Sequence, residues 1–230
     1  MIRAFLFDLD GTLVDSERST AEAMARALAR GQGIAVEPYD REFIIGRSWV
    51  AIYDSLKARY PQLTWTRDET IAHTTALRDE VFAELGVEVL PGAREVLAWT
   101  KAHPRALVTG SGREEVKQVL PRIGPDACFE HVFAAEDVPR SKPAPDGYAM
   151  AIAALGAAPR ECLVIEDSVN GIAAGRAAGC LVLAVRAGNF GGWDQSAAHH
   201  VVDTLAELTP ELVDRLARDY GFGVKPRGDR

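Results

Sequence analysis

A chain of 230 residues, 47% of them hydrophobic, is long enough to bury a sizeable core and fits one large domain or a core carrying a smaller inserted unit. A formal net charge of -7 argues against nucleic acid as the main partner, because a phosphate backbone needs a basic face. No run is apolar for long enough to span a bilayer, the N-terminus enters a strand pattern at once with no signal peptide, and Cys128, Cys162 and Cys180 are an odd set without a close pair, so the expectation is a cytoplasmic protein with reduced, mostly buried thiols.

The first element is a predicted strand at residues 3–7, whose apolar run Ala4-Phe5-Leu6-Phe7 leads into Asp8-Leu9-Asp10-Gly11-Thr12. A short run with aromatics, closed by a Gly, predicts a buried strand whose C-terminal end opens into a turn. After Asp15 the period changes. Ala21, Met24, Ala25 and Leu28 recur at helical spacing, with Gly31 and Gly33 as the stop. Ile52, Tyr53, Leu56 and Tyr60 give a second helical stripe ended by Pro61, and Leu77, Val81 and Leu85 a third ended by Gly86. No convincing strand appears from about Ser16 to Glu88, which predicts a small helical bundle.

From Pro91-Gly92 onward helices and strands alternate. Val96, Leu97 and Thr100 share a helix face, and Ala106 to Thr109 is a strand entering Gly110-Ser111-Gly112. Val116, Val119, Leu120 and Ile123 form the next helix face, His131 to Ala134 a strand, and Pro145 to Leu155 a helix with proline in its first turn. Cys162 to Ile165 is a strand, Val169 to Ala178 a helix and Leu181 to Val185 a strand. Val201-Val202 reads as an edge strand, Leu212, Val213 and Leu216 as a last helix, and Gly221 to Arg230 as a loose end. Alternation with continuously apolar strands predicts a parallel sheet covered on both faces. The expected architecture is an α/β core, residues 1–15 and 89–230, with an all-α insertion at 16–88 after its first strand.

Four stretches carry chemistry, each at the C-terminal end of a predicted strand, where open parallel sheets place their sites. Asp8 and Asp10 alternate onto one side of an extended chain, and two carboxylates at a core edge are costly unless a cation neutralises them. The ordinary reading of Asp and Gly there is a turn. The Thr109 hydroxyl, with the N–H groups of Gly110 and Ser111, suits phosphate oxygens, although a Gly-rich strand-helix turn needs no ligand. Lys142 sits in a loop stiffened by Pro139, Pro143 and Pro145, where its ammonium can stand between carboxylates and a phosphoryl group; most lysines are simply solvated. Glu166-Asp167-Ser168 again runs a buried strand into acids, with helix capping by Asp167 or Ser168 as the plainer role. Carboxylates, one lysine, one hydroxyl and a nest of N–H groups at one sheet edge make up the set that phosphoryl transfer requires. Asp8 suits a nucleophile and Asp10, further into the turn, an acid/base.

In order and spacing, Asp8-Leu9-Asp10-Gly11-Thr12, Thr109, Lys142-Pro143 and Glu166-Asp167 resemble the motifs of the haloacid dehalogenase superfamily, over roughly residues 1–205. The resemblance implies a Rossmann-like core, a helical cap after the first motif, and Mg2+. It implies that Asp8 is the nucleophile, Asp10 the acid/base, and Thr109 and Lys142 the phosphoryl ligands. Mg2+ would be held by Asp8, the carbonyl of Asp10 and Asp167, with Glu166 close by. Val14-Asp15-Ser16, Leu90-Pro91-Gly92 and Ile165 to Ile172 are similar to the beta-phosphoglucomutase-like phosphatases. True mutases have a His where this chain has Thr20, and an Arg after the Ser of a Gly-x-Ser loop, where Gly46-Arg47-Ser48 is followed by Trp49. Asp10 also separates the chain from dehalogenases, which lack this acid, and from phosphonate-cleaving members, which have Ala there.

The expectation is therefore a Mg2+-dependent phosphatase acting on a small phosphorylated metabolite, a sugar phosphate or similar ester, as a monomer or weak dimer. Arg47, Trp49 and Arg78 are its candidate specificity residues, against surface charge and cap-core packing as their plainer roles. A phosphohexose mutase and a non-catalytic phosphoacceptor or binding module are the alternatives. A sugar-nucleotide transferase, which also uses Asp-x-Asp, needs an upstream nucleotide-binding half, and seven residues precede Asp8. His199 and His200 are adjacent in a strand-like stretch and face opposite ways, so they do not share a metal. Arg227-Gly228-Asp229 spells an adhesion tripeptide by chance.

Overall fold

The structure is a computed structural model that describes residues 1–44, 47 and 49–223. Gly46 and Ser48 of the Gly-x-Ser loop, and the tail with Arg227-Gly228-Asp229, lie outside the described residues. In chain order the elements are β1 (Ala4–Phe7), β2 (Val14–Asp15), α1 (Glu17–Gln32), α2 (Pro38–Phe43), α3 (Trp49–Arg59), α4 (Arg67–Leu85) and β3 (Glu88–Val89). Then come α5 (Ala93–Thr100), β4 (Arg105–Val108), α6 (Arg113–Ile123), β5 (His131–Phe133), α7 (Asp146–Ala154), β6 (Cys162–Glu166), α8 (Val169–Ala177), β7 (Leu181–Val185), β8 (His200–Val202) and α9 (Pro210–Asp219). Two compact units result: residues 1–14 with the chain from Val89 onward, and Asp15–Glu88.

In the first unit β5-β4-β1-β6-β7-β8 form one sheet whose paired strands are all parallel. This is the expected Rossmann-like α/β core. Strands β1, β4, β6 and β7 are buried at every position, as their unbroken apolar sequences require when both faces are covered. Alternation assigns the faces. Ala4 and Leu6 join Ala106, Val108, Cys162, Val164, Val182 and Ala184 in a core with Tyr148, Ala151 and Ile152 of α7 and Ile172 and Ala174 of α8. On the opposite face Phe5 meets Trp99 of α5 edge to face at 5.2 Å. Strand order reverses at β1, because the chain goes from β1 to β4 and β5 on one side and then returns to β6 on the other. A crevice at the C-terminal strand ends beside such a reversal is the usual place for a site.

Register levels that crevice. Phe7 pairs with Leu107 of β4 and with Ile165 of β6. The next residues, Asp8, Val108 and Glu166, therefore stand side by side at the strand ends. Glu166 is the last residue of β6 rather than the first of the turn, so its parity with Cys162 and Val164 turns it toward α7 and α8.

The second unit is helical, with a core of Ala21, Met24, Leu28, Ile34, Ile44, Ile52, Leu56 and Leu63. Three readings change here. Gly31 lies inside α1; Gly33, with φ 64°, ends the helix, and Gly31 makes room for Trp65, whose ring would lie 2.3 Å from a Cβ there. The buried face of α4 is Thr70, Thr74, Arg78, Val81 and Phe82, whereas Leu85 is 63% exposed. The threonines satisfy their hydroxyls within the helix, Thr70 and Thr74 donating to the carbonyls four residues back, which lets a polar sequence pack. Short α2 carries no periodic apolar signal, and Glu88 belongs to a two-residue strand paired with β2. In the sheet unit, Pro145 caps α7 instead of sitting in its first turn. Cys162 and Cys180, distant in sequence, are brought together at the start of neighbouring strands with their free thiols in contact.

Candidate active site

Lys142 reaches the levelled strand ends and ties all three together. Its ammonium donates to Asp8 Oδ1 at 2.5 Å, to Glu166 Oε1 at 2.5 Å and to the Val108 carbonyl at 2.9 Å, which uses its three hydrogens. The Lys142–Pro143 peptide is cis. Burial alone would make the Lys142 ammonium easier to deprotonate, but Asp8 and Glu166 outweigh it and hold the group above the ordinary lysine range. Lys142 in this arrangement orients Asp8 through a fixed charge, and it meets a phosphoryl oxygen only by exchanging one of those partners.

Glu166 is fully buried and accepts five hydrogen bonds. Lys142 and the Tyr148 hydroxyl, at 2.8 Å, share Oε1. The N–H groups of Asp167 and Ser168, each at 3.1 Å, and the Ser168 hydroxyl, at 3.0 Å, share Oε2. Ser168 in turn caps α8 by accepting from Gly171 N–H at 3.0 Å. Saturation of this kind makes a buried carboxylate tolerable. It also means that Glu166 enters a metal shell only by giving up donors. Tyr148 is a member of this network that the sequence pattern does not reveal; as an aromatic residue on a helix after Lys142-Pro143 it looks like ordinary core.

Asp8, 6% exposed, follows β1 and donates its N–H to the Ile165 carbonyl. Burial drives its carboxyl up from the usual aspartate range; Lys142 pulls it back down, and the like charges of Glu166 and Asp10 add to the rise. Asp167 lies across from it in the next turn. Gly11, with φ 80°, leaves space for the Asp167 carboxylate, whose Oδ2 would stand 2.3 Å from a Cβ at Gly11. Thr12 Oγ1 donates toward Asp167 Oδ1 at 3.4 Å.

Carboxylate oxygens of Asp8, Glu166 and Asp167 all lie within 4.8 Å of one another. Three such groups against the single charge of Lys142 leave an excess of negative charge, and an all-oxygen donor set fits a hard divalent cation. The Asp10 carboxylate lies outside that cluster: its Oδ2 accepts from the Ser111 hydroxyl at 2.5 Å. Ser111 therefore holds Asp10, while its N–H donates to Thr109 Oγ1 at 3.0 Å. Thr109, 4% exposed, is fixed by its own N–H on the Phe133 carbonyl. Gly110 follows with open space where a Cβ would stand.

Asp8, Asp10, Thr109, Gly110, Ser111, Lys142, Glu166 and Asp167 thus all belong to the C-terminal edge of one sheet. Arg47, Trp49 and Arg78 belong to the helical unit. There Arg47 is exposed and lies 4.2 Å over the Phe43 ring, Trp49 packs against the helical core, and Arg78 is buried in α4 rather than on the surface.

This fold and this carboxylate–lysine edge define a class of hydrolase, and comparison with known proteins agrees. Residues 2–179 match the family model of the haloacid dehalogenase-like hydrolases. Hexitol phosphatase A of Escherichia coli (strain K12) is 38% identical over 188 residues, covering 80% of this chain and 83% of its own. Fructose-1-phosphate phosphatase YqaB of the same organism is 32% identical, covering 79% and 95%. Among solved structures, a putative beta-phosphoglucomutase from Thermotoga maritima superposes with a TM-score of 0.75 at 25% identity, over 93% of this chain and 99% of its own. The chain belongs to the haloacid dehalogenase-like hydrolase family. Within it the protein is an enzyme of the phosphoric monoester hydrolases, a phosphatase. Among the described residues no helix is long and apolar enough to cross a membrane.

Proposed function

We propose that the protein is a Mg2+-dependent phosphatase that hydrolyses a small sugar phosphate through a phosphorylated Asp8. The observation that carries this reading is the Asp8 carboxylate, held by Lys142 at 2.5 Å and facing Asp167, with the Asp10 carboxylate fixed nearby by Ser111. An oxygen of Asp8 attacks phosphorus, and the bond from phosphorus to the sugar oxygen breaks as Asp10 gives that oxygen its proton. Asp10 then takes a proton from water, the water oxygen attacks phosphorus, and the bond to Asp8 breaks to release inorganic phosphate. Thr109 and the Gly110 N–H steady the phosphoryl oxygens, and Lys142 keeps Asp8 in place. Bound Mg2+ would be held by Asp8, the Asp10 carbonyl and Asp167, and would neutralise the phosphoryl oxygens.

A sugar phosphate is favoured because two of the relatives are named for hexitol and fructose-1-phosphate hydrolysis. In this reading the helical unit is the cap, and Arg47, Trp49 and Arg78 select the leaving group. Thr20, in the place where true mutases carry His, weighs toward hydrolysis.

The test is phosphate release from a panel of hexose and hexitol phosphates with Mg2+, comparing wild type with Asp8→Asn. Activity in wild type and its loss by at least about a thousandfold in a folded Asp8→Asn is the expected result. An Asp8→Asn enzyme that still turns over would remove the nucleophile assignment. An isomerised sugar phosphate in place of free phosphate would assign a mutase.

A further inference from the structure

The loop between β7 and β8 carries no motif, yet it touches both acidic turns. At its start, Gly188 presses on the first turn so closely that a Cβ there would lie 1.9 Å from the Gly11 carbonyl oxygen. Further along, Gln195 is 6% exposed, a depth at which an amide must find partners. Its side-chain nitrogen donates to the Asp167 carbonyl at 2.6 Å and to the Val185 carbonyl at 2.8 Å, which uses both amide hydrogens. The loop is stiffened from within. Asn189 closes a ring by donating to the Trp193 carbonyl at 2.7 Å and accepting from its N–H at 2.9 Å, and the Ser196 N–H donates to Asp194 at 2.9 Å.

We propose that Gln195 is a positioning residue for the divalent-ion site: with Gly188 as the second foot of the brace, it holds the Asp167 turn at a set distance from the Gly11 turn. Asp8 is fixed by the sheet through its own N–H on the Ile165 carbonyl. Asp167 follows the end of β6; its N–H is tied back to Glu166 Oε2, and its carbonyl is held from outside that strand. Gln195 supplies that outside tie at the residue whose carboxylate faces Asp8. The role differs from plain loop anchoring, because the bond is made to Asp167 itself. Groups behind a metal ligand that fix its orientation affect metal affinity by about 10–100-fold.

This inference rests on the metal reading proposed above, and one experiment separates the two. Mg2+ is titrated calorimetrically into the metal-free full-length wild type, Gln195→Met and Gln195→Asn. The Met variant keeps the volume and removes both donors; the Asn variant keeps an amide too short to span both carbonyls. Thermal unfolding of each metal-free protein reports the fold, and phosphate release is followed against Mg2+ concentration. Expected is a loss of about tenfold or more in Mg2+ affinity for both variants. The metal-free unfolding transition stays cooperative, and kcat recovers as Mg2+ is raised. Unchanged Mg2+ affinity in a folded variant, including one that has only lost thermal stability, would overturn the role of Gln195 and leave the metal site standing. A wild type that takes up no Mg2+ would overturn the metal reading and this role with it. If Gln195→Met does not fold, the affinity of Gln195→Asn decides by the same criterion.

Discussion

Among the five donors on Glu166, the Tyr148 hydroxyl can be removed without changing a charge, the backbone or the Ser168 cap of α8. Tyr148→Phe keeps the ring in its buried place and leaves Oε1 to Lys142 alone. A hydrogen bond to a charged partner contributes about 1.5–3 kcal/mol, so a stability loss of that size is expected in denaturant unfolding. Activity should fall several-fold and not vanish, because Lys142 keeps its bonds to Asp8 and Val108. An unaltered unfolding midpoint would mean that the Tyr148 bond has no net worth. At this scale, Asp8, Thr109 and Glu166-Asp167 were readable from the sequence because each follows an apolar run, where a polar group beside a buried strand is conspicuous, and Lys142 because prolines frame its loop. Their partners were not. Tyr148 meets Glu166, and Ser111 turns to Asp10, through contacts spanning 18 and 101 positions of sequence, which no local pattern encodes.

Helix α8 owes its closeness to the site to its glycines. Gly171 lies where a Cβ would fall 1.7 Å from Glu166 Oε1, and Gly175 where one would meet Val164 and Val182 at 3.0 Å. In an exposed helix, Gly→Ala stabilises by about 1 kcal/mol. Gly171→Ala should do the reverse, because the methyl must displace a buried carboxylate that anchors Lys142. The expected outcome is a lower melting temperature together with a loss of phosphatase activity; a variant as stable and as active as wild type would show that Glu166 has room to move. Helix and strand identities in the sheet unit were legible because buried strands read as unbroken apolar runs and α5, α6 and α9 as amphipathic stripes. The pattern misled on the buried face of α4, which adds two threonines and an arginine to Val81 and Phe82, although the helix itself and its end at Gly86 were legible. The pattern misled on Gly31 as well, since a glycine inside a helix looks like a stop until the Trp65 ring it admits is known.

At the scale of the whole molecule, His199 joins the far edge of the sheet to the C-terminal segment. Its Nδ1 accepts from the Val182 N–H at 2.9 Å, and its ring meets Tyr220 and Phe222 edge to face, each at 5.0 Å. Burial, and then the nearby charge of Arg176, push its pKa down from 6.5 to about 4. The unfolded chain therefore binds this proton more readily than the native state between those values. The contribution of neutral His199 is present in full above pH 6.5 and is lost as pH falls through about 4. Unfolding free energy measured from pH 7 to pH 4 should fall less steeply in His199→Gln than in wild type. Parallel profiles would show that His199 titrates alike in both states. The aromatic partners of His199 lie 21 and 23 positions downstream, beyond the reach of any local pattern.

By itself the sequence determined the class of the core and the identities of the acids, hydroxyl and lysine at its edge, because hydrophobic periodicity and strand-end charges are local properties of a chain. Tertiary structure alone decided which of those groups face one another. The level register of Asp8, Val108 and Glu166 under one ammonium, the turn of Asp10 toward Ser111, and the grip of Gln195 on Asp167 all depend on strands from distant parts of the chain lying side by side. Pairing of that kind follows from burying the sheet as a whole, and no short stretch of sequence contains it.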